Sequence, residues 1–287
     1  MAPISIDPDH RHEVRVSDVE YRRDGDVAWL ATVYRPAGAG PFAALLNVHG
    51  GAWNTGSRAD NAALSQGLAA AGAVVASIDF RMGGDHPYPS SLIDINYATR
   101  WLKAHAADFA ADPASVGALG VSSGGHLALL SGMRPHDTRY AALPLPEAGA
   151  ADATLAYVIS CWGVLDPYAR YQFAQQIGRT ELIASHDRYF GSIETMQEAN
   201  PLLIVERGEP ATLPPALLIQ GTADAILPPG MVERVADAYR AAGGAVDLAL
   251  FEGMPHGITG WPESEVARMV ARMAGFINRC LAPVAAA

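Results

Sequence analysis

Residues 115–133 read SVGALGVSSGGHLALLSGM, a short run of small apolar residues, a serine pair set between glycines, then a helical pattern. Such a run is a buried strand, and GGHLALLSGM has the spacing of a helix packed on it. Gly120-Val121-Ser122-Ser123-Gly124 therefore sits where a strand stops and a helix starts. Glycines give room there for a sharp, strained turn, which lifts the Ser122 hydroxyl above the strand ends beside a positive helix N-terminus. The plainer alternative is a glycine-rich turn in which Ser122 or Ser123 is only a helix N-cap.

Working outward from that turn, the same unit recurs. FAALLNV (42–48), AVVASIDF (73–80), ATLAYVISCW (153–162), PALLIQG (215–221) and VDLALFE (246–252) are further apolar runs of the kind covered on both faces. Between them AALSQGLAAAG, NYATRWLKAHA, MVERVADAYRAAG and EVARMVARMAGFINRCL carry helical periodicity. Ahead of all these, HEVRVSDVEYRR and DVAWLATVYRP flank Asp24-Gly25, a hairpin signal, and are expected as two antiparallel edge strands. Repeated βα units with an antiparallel start predict an α/β fold around a mostly parallel eight-stranded sheet, helices on both faces. Residues 1–287 read as one domain without repeats or low-complexity linkers. Residues 166–214 are far longer than an ordinary connection and hold Tyr168, Tyr171, Phe173, Tyr189 and Phe190, so an inserted cap is expected there. Those rings either form the insertion's own small core or line a substrate pocket. Residues 134–149 read as a surface excursion without chemistry.

Composition narrows the chemistry. The 287 residues carry a formal charge of −10, with no basic surplus for a phosphate backbone, which argues against nucleic-acid binding. Half the residues are apolar and 17% are charged, as in a compact protein with a large core. Residues 61–78 form the longest charge-free stretch, but Ser65, Gln66, Gly67 and Gly72 dilute it, so no membrane anchor is expected. Residues 1–12 lack the basic and apolar pattern of a secretory signal, and the cytoplasm is the default location. Cys161 and Cys280 offer neither a disulfide framework nor a metal-finger spacing and read as two buried thiols. Lys103 is the only lysine, and it falls on a solvated helix face, which removes Schiff-base and phosphate-loop chemistry. GxxxxGK, GxGxxG after a strand and HExxH are all missing, so no cofactor and no metal are expected.

A serine hydroxyl needs a base to take its proton and an acid to orient that base. Asp224, in QGTADAILPP, and His256, in EGMPHGI, each follow a predicted strand, where an open parallel sheet places its ligand chemistry. Either alone reads as a turn-forming Asp or a satisfied surface His; together with Ser122, in the order Ser, Asp, His, they read as a catalytic set. His49-Gly50-Gly51-Ala52-Trp53 follows the strand FAALLNV, and its glycines allow the backbone close to a substrate oxygen. The amides of Gly51, Ala52 and Ser123 are the expected oxyanion donors. Gly50, Trp53, His86, Tyr168 and Phe190 are candidate substrate-binding residues. Asp166 competes with Asp224 for the acid, while His126 and His49 read as packing and loop-bracing residues.

With HGGAW, GVSSGGHLA and the Asp224 and His256 loops in place, the chain resembles the α/β-hydrolase esterases. It is similar to the hormone-sensitive-lipase-like carboxylesterases and the xylan acetyl and feruloyl esterase group over nearly its whole length. DFRMGGDHPYPSSLIDINYATRWLKAHAADFAADP also resembles that family, and the resemblance implies structural roles for Arg81, Pro89 and Asp94. Two departures are HGGA where lipase-like members have HGGG, and GVSSG where they have GDSAG. The HGG-x-W form with GGHLA also resembles arylformamidases. The resemblance implies the α/β-hydrolase fold and a cofactor-free serine carboxylesterase acting on small or medium carboxylic esters. Formamide or amide hydrolysis by the same residues is the alternative, and a non-catalytic binding module is a second. The expected partner is a small-molecule ester, with a homodimer as the commonest assembly.

Overall fold

The computed structural model describes residues 4–283. Its first strands, β1 (Val14–Asp24) and β2 (Val27–Pro36), pair antiparallel with Asp24 opposite Val27. The hairpin turn is thus Gly25-Asp26, one residue later than the Asp24-Gly25 expected, with Gly25 at φ 56°, where glycine carries no Cβ penalty. Then come β3 (Ala43–Val48), α1 (Ala62–Ala70), β4 (Ala73–Ile78), α2 (Ser90–Ala104), β5 (Gly117–Val121), α3 (Ser123–Met133) and β6 (Val158–Cys161). Four helices follow: α4 (Pro167–Gln176), α5 (Thr180–Phe190), α6 (Ile193–Glu198) and α7 (Pro201–Glu206). The chain finishes with β7 (Ala216–Gly221), α8 (Met231–Ala241), β8 (Val246–Phe251) and α9 (Glu263–Leu281).

The strands form one eight-stranded sheet in the order β1-β2-β4-β3-β5-β6-β7-β8. From β4 to β8 every pairing is parallel, while β2 joins β4 antiparallel. Only β1 of the first two lies at an edge, which corrects the expectation of two edge strands. Every residue of β3, β4, β5, β6 and β7 is buried, so the middle of the sheet is covered on both faces. This is the mostly parallel eight-stranded α/β sheet expected from the βα order, and the α/β-hydrolase fold that the resemblance implies. β6 is shorter than its apolar run. Residues 153–157 are mostly buried but irregular, and Tyr157 packs its ring under Gly117 while donating to the Ala44 carbonyl. Apolar content alone does not separate buried strand from buried coil.

The residues 134–149 excursion has a structural role that its sequence did not suggest. Arg134 and Arg139 both bond Glu198 at the end of α6, and Tyr88 donates to the same carboxylate at 2.6 Å. Lys103 is likewise held by Asp152 at 3.2 Å and Thr154 at 3.1 Å instead of lying free on a solvated face. Cys161 is buried and Cys280 only partly so. Arg81 and Asp94 pair through two guanidinium nitrogens, Asp94 being fully buried.

Candidate active site

β5 stops at Val121 and α3 begins at Ser123, leaving Ser122 alone at φ 54°, ψ −122°. A non-glycine residue holds such a conformation only when its surroundings impose it. Here the Ser122 amide donates to Cys161 O at 2.9 Å, and its carbonyl accepts from Val164 at 3.2 Å. The flanking glycines are required by space: a Cβ on Gly120 would lie 2.1 Å from Gly124 O, and one on Gly124 would lie 2.2 Å from Val48 O. The serine is thereby pressed outward between β3 and β6.

Ser122 Oγ lies 2.9 Å from His256 Nε2, and His256 Nδ1 lies 2.7 Å from Asp224 Oδ2. The three residues come from loops after β5, β8 and β7, at the same end of the sheet. Asp224 is held on both oxygens. Oδ1 accepts from the amides of Ile226 at 2.8 Å and Leu227 at 3.1 Å, and Oδ2 accepts from Gln220 Nε2 at 2.8 Å. Burial alone would raise its pKa, but the bonds from His256, Ile226 and Gln220 outweigh it and hold the carboxyl below the ordinary range. Asp166, the competing acid, is occupied elsewhere: it caps α4 through the Ala169 amide at 2.9 Å and accepts from Asn200 Nδ2 at 2.7 Å.

Beside the serine, the loop after β3 turns through three positive φ values, Gly51 at 100°, Ala52 at 51° and Trp53 at 64°. A Cβ on Gly51 would fall 1.9 Å from Thr55 O, and Thr55 and Asn54 amides both close back on Gly51 O. Among the described residues the amides of Gly51, Ala52 and Ser123 donate no hydrogen bond. Gly50 faces the serine directly, since a Cβ there would stand 3.2 Å from Ser122 Cβ. The loop is tied to α3 by the Trp53 amide, which donates to Ser123 Oγ at 3.1 Å. His49 stacks on Phe80 at 4.3 Å and bonds Gly50 O at 2.8 Å, with burial lowering its pKa, so it braces the loop as a neutral ring.

The candidate substrate-binding side chains divide. Trp53 and Phe190 are 1% and 4% exposed and belong to the core, which corrects their expected place in the pocket. The Trp53 ring stacks on Tyr189 at 5.6 Å, meets Phe190 edge-on at 4.9 Å and donates to His126 Nδ1 at 3.1 Å. His126 donates its one ring N–H, on Nε2, to Ala199 O at 2.7 Å, so it is a neutral packing residue, with burial pushing its pKa down to about 4. His86 is exposed in a hollow shared with Trp29, Asn54, Asp79, Met82 and Asp85. Tyr168 is half-buried at the start of α4, bonded to Gln172.

Three neighbours of the site had escaped the sequence reading. Asn54 Nδ2 bridges Ala52 O at 2.6 Å and Ser185 O of α5 at 3.0 Å, joining the loop to the helices between β6 and β7. Gln220, the penultimate residue of β7, steadies Asp224; only its position before a loop acid hinted at that. Arg170 lies buried in α4 with its guanidinium over the Trp53 ring, 5.7 Å from the centroid.

A family model for BD-FAE matches residues 32–238 of this chain. The esterase LipC of Mycobacterium tuberculosis is 32% identical over 260 residues, covering 86% of this chain and 60% of its own length. The probable carboxylic ester hydrolase LipM of the same organism is 27% identical, covering 81% and 52%. This chain thus spans between about half and three-fifths of those two relatives. Among solved structures, the propionate-bound thermophilic esterase Est2 of Thermogutta terrifontis superposes with a TM-score of 0.70 at 25% identity, covering 96% of each chain. Among the described residues no helix is long and apolar enough to cross a membrane.

Proposed function

Because the chain belongs to the BD-FAE family, we propose that it is a serine carboxylesterase that cleaves small or medium carboxylic esters through an acyl-enzyme. The observation that carries this reading is the continuous chain from Ser122 Oγ through His256 to Asp224, set beside three amides that donate to nothing else among the described residues. Ser122 attacks the ester carbonyl as His256 Nε2 takes its proton, and His256 returns that proton to the leaving alcohol. Asp224 accepts from Nδ1, which leaves Nε2 free to act as base and stabilises the imidazolium. The developing oxyanion is received by the Gly51, Ala52 and Ser123 amides, a contribution of about 2.7–4 kcal/mol per donor in comparable sites. Water then enters by the same proton relay and releases the acid.

Helices α4 to α7 act as a cap over this site, fastened through Asn54 to the oxyanion loop and through Glu198 to Arg134 and Arg139. The propionate held by the related Est2 supports a short acyl group here. Two unbridged cysteines fit a reducing compartment such as the cytoplasm.

Hydrolysis of nitrophenyl esters from acetyl to dodecanoyl tests the reading. Wild type should turn over the short members, and Ser122→Ala should lower kcat by about 10³–10⁶. Equal inertness of both proteins would defeat it and move attention to formamides.

A further inference from the structure

Among the described residues Arg170 is the one buried basic residue near this site whose charge has no counter-ion. It is 2% exposed, and its Nε and Nη1 are sealed from solvent without a hydrogen-bond partner. Among the described residues its guanidinium forms no ion pair. The acidic groups whose charge reaches it, Asp224 and Glu181, are both committed. Asp224 serves His256, Gln220 and two amides, and Glu181 pairs with Arg179. His186, packed beside it, is kept neutral, with burial and the arginine's own charge pushing its pKa down to about 3. Desolvation lowers the Arg170 pKa only to about 10, so the cation persists at neutral pH.

A buried cation without a partner is costly and usually awaits one. Arg170 lies close to the catalytic residues. Its ring neighbour Trp53 carries the amide bonded to Ser123, α4 starts a few residues after the segment that bonds Ser122 on both sides, and Asp224 is within Coulomb reach. Resting on the esterase reading, we propose that Arg170 recognises a carboxylate carried by the substrate, so that the preferred esters bear a carboxylate on their acyl or alcohol part. A planar guanidinium meets a carboxylate with two parallel hydrogen bonds, which gives orientation as well as attraction.

The test compares kcat/KM for three esters of similar size: uncharged ethyl butyrate, monoethyl succinate with an acyl-side carboxylate, and acetoxyacetate with an alcohol-side carboxylate. Wild type should favour one charged ester over the neutral one by about 10–100-fold, the factor expected of a charge-assisted bond, and which one identifies the side. In Arg170→Met that ratio should collapse toward one or below, and Arg170→Lys should keep part of it. A wild-type ratio at or below one for both charged esters, or a ratio unchanged in Arg170→Met, overturns the proposal. A fall on all three esters together also overturns it, since that is what a purely structural arginine would produce. Melting of Ser122→Ala with monoethyl succinate and with acetoxyacetate gives a readout that needs no turnover. One of them should raise Tm, and adding Arg170→Met should abolish the shift. No shift, or one that survives the second change, overturns the proposal. If Ser122-dependent turnover fails on every ester, the esterase reading falls by itself and the melting comparison still decides the role of Arg170.

Discussion

Gly51 shows how little latitude a single position near Ser122 has. Its φ of 100° belongs to glycine, and an added methyl would meet Thr55 O at 1.9 Å, so the loop must move before the side chain fits. Gly51→Ala should therefore displace the oxyanion amides and lower kcat on nitrophenyl acetate by about 10²–10³ with a smaller change in KM. A variant with wild-type kcat would remove this loop from the chemistry. The two candidate acids are separated at the same scale. Asp224→Asn should cost about 10⁴ in kcat, because the amide oxygen stays with the Ile226 and Leu227 amides and the donor Nδ2 faces Nδ1, which forces the imidazole into the wrong tautomer. Asp166→Asn should instead cost about 1 kcal/mol of stability or less, read as a lower Tm, and leave turnover near wild type, since Asp166 caps a helix. The reverse pattern would exchange their roles. Ser122, Asp224 and His256 were legible because each follows a strand in a fixed order. Arg170 was not, because nothing in PYARYQFAQQ separates a buried arginine from a solvated one.

Elements α3 and α5 meet on either side of Trp53, and each contributes a histidine that is buried and neutral. Both rings have folded pKa values, about 4 for His126 and about 3 for His186, below the ordinary 6.5. Below pH 6.5 the unfolded chain binds protons at these positions and the folded chain does not. Their stabilising effect is thus full above pH 6.5 and declines as pH falls toward 4, by about 1.4 kcal/mol per pH unit for each ring. Tm should drop steadily between pH 6.5 and 4.5, and His186→Phe should make that slope shallower. An identical slope in wild type and variant would show that the packing of His186 on Trp53 is not what acid loosens. Helices of the insertion were missed as elements, although Asp166-Pro167, Ser192 and Asn200-Pro201 each cap one in the structure. Those are ordinary start signals, but the short and weakly amphipathic helices behind them leave little periodicity to read.

Across the whole molecule the sheet sets the geometry. Parallel strands β3, β5, β7 and β8 end on one side, and the loops leaving them carry Gly50 and Gly51, Ser122, Asp224 and His256. Chain order, with apolar runs bounded by turn signals and separated by helical patterns, was enough to read that arrangement. Contacts between the insertion and the oxyanion loop depend on which polar atoms are left over once the core packs, and no local pattern encodes that. The central claim is that Ser122, activated through His256, is the nucleophile. Reaction with an organophosphate ester, followed by intact mass and peptide mapping, tests it most directly. One phosphoryl group should attach to each chain at Ser122, none to Ser122→Ala, and far more slowly to His256→Ala. Ester turnover that continues with Ser122 unlabelled, or a label mapped to another residue, would contradict the account.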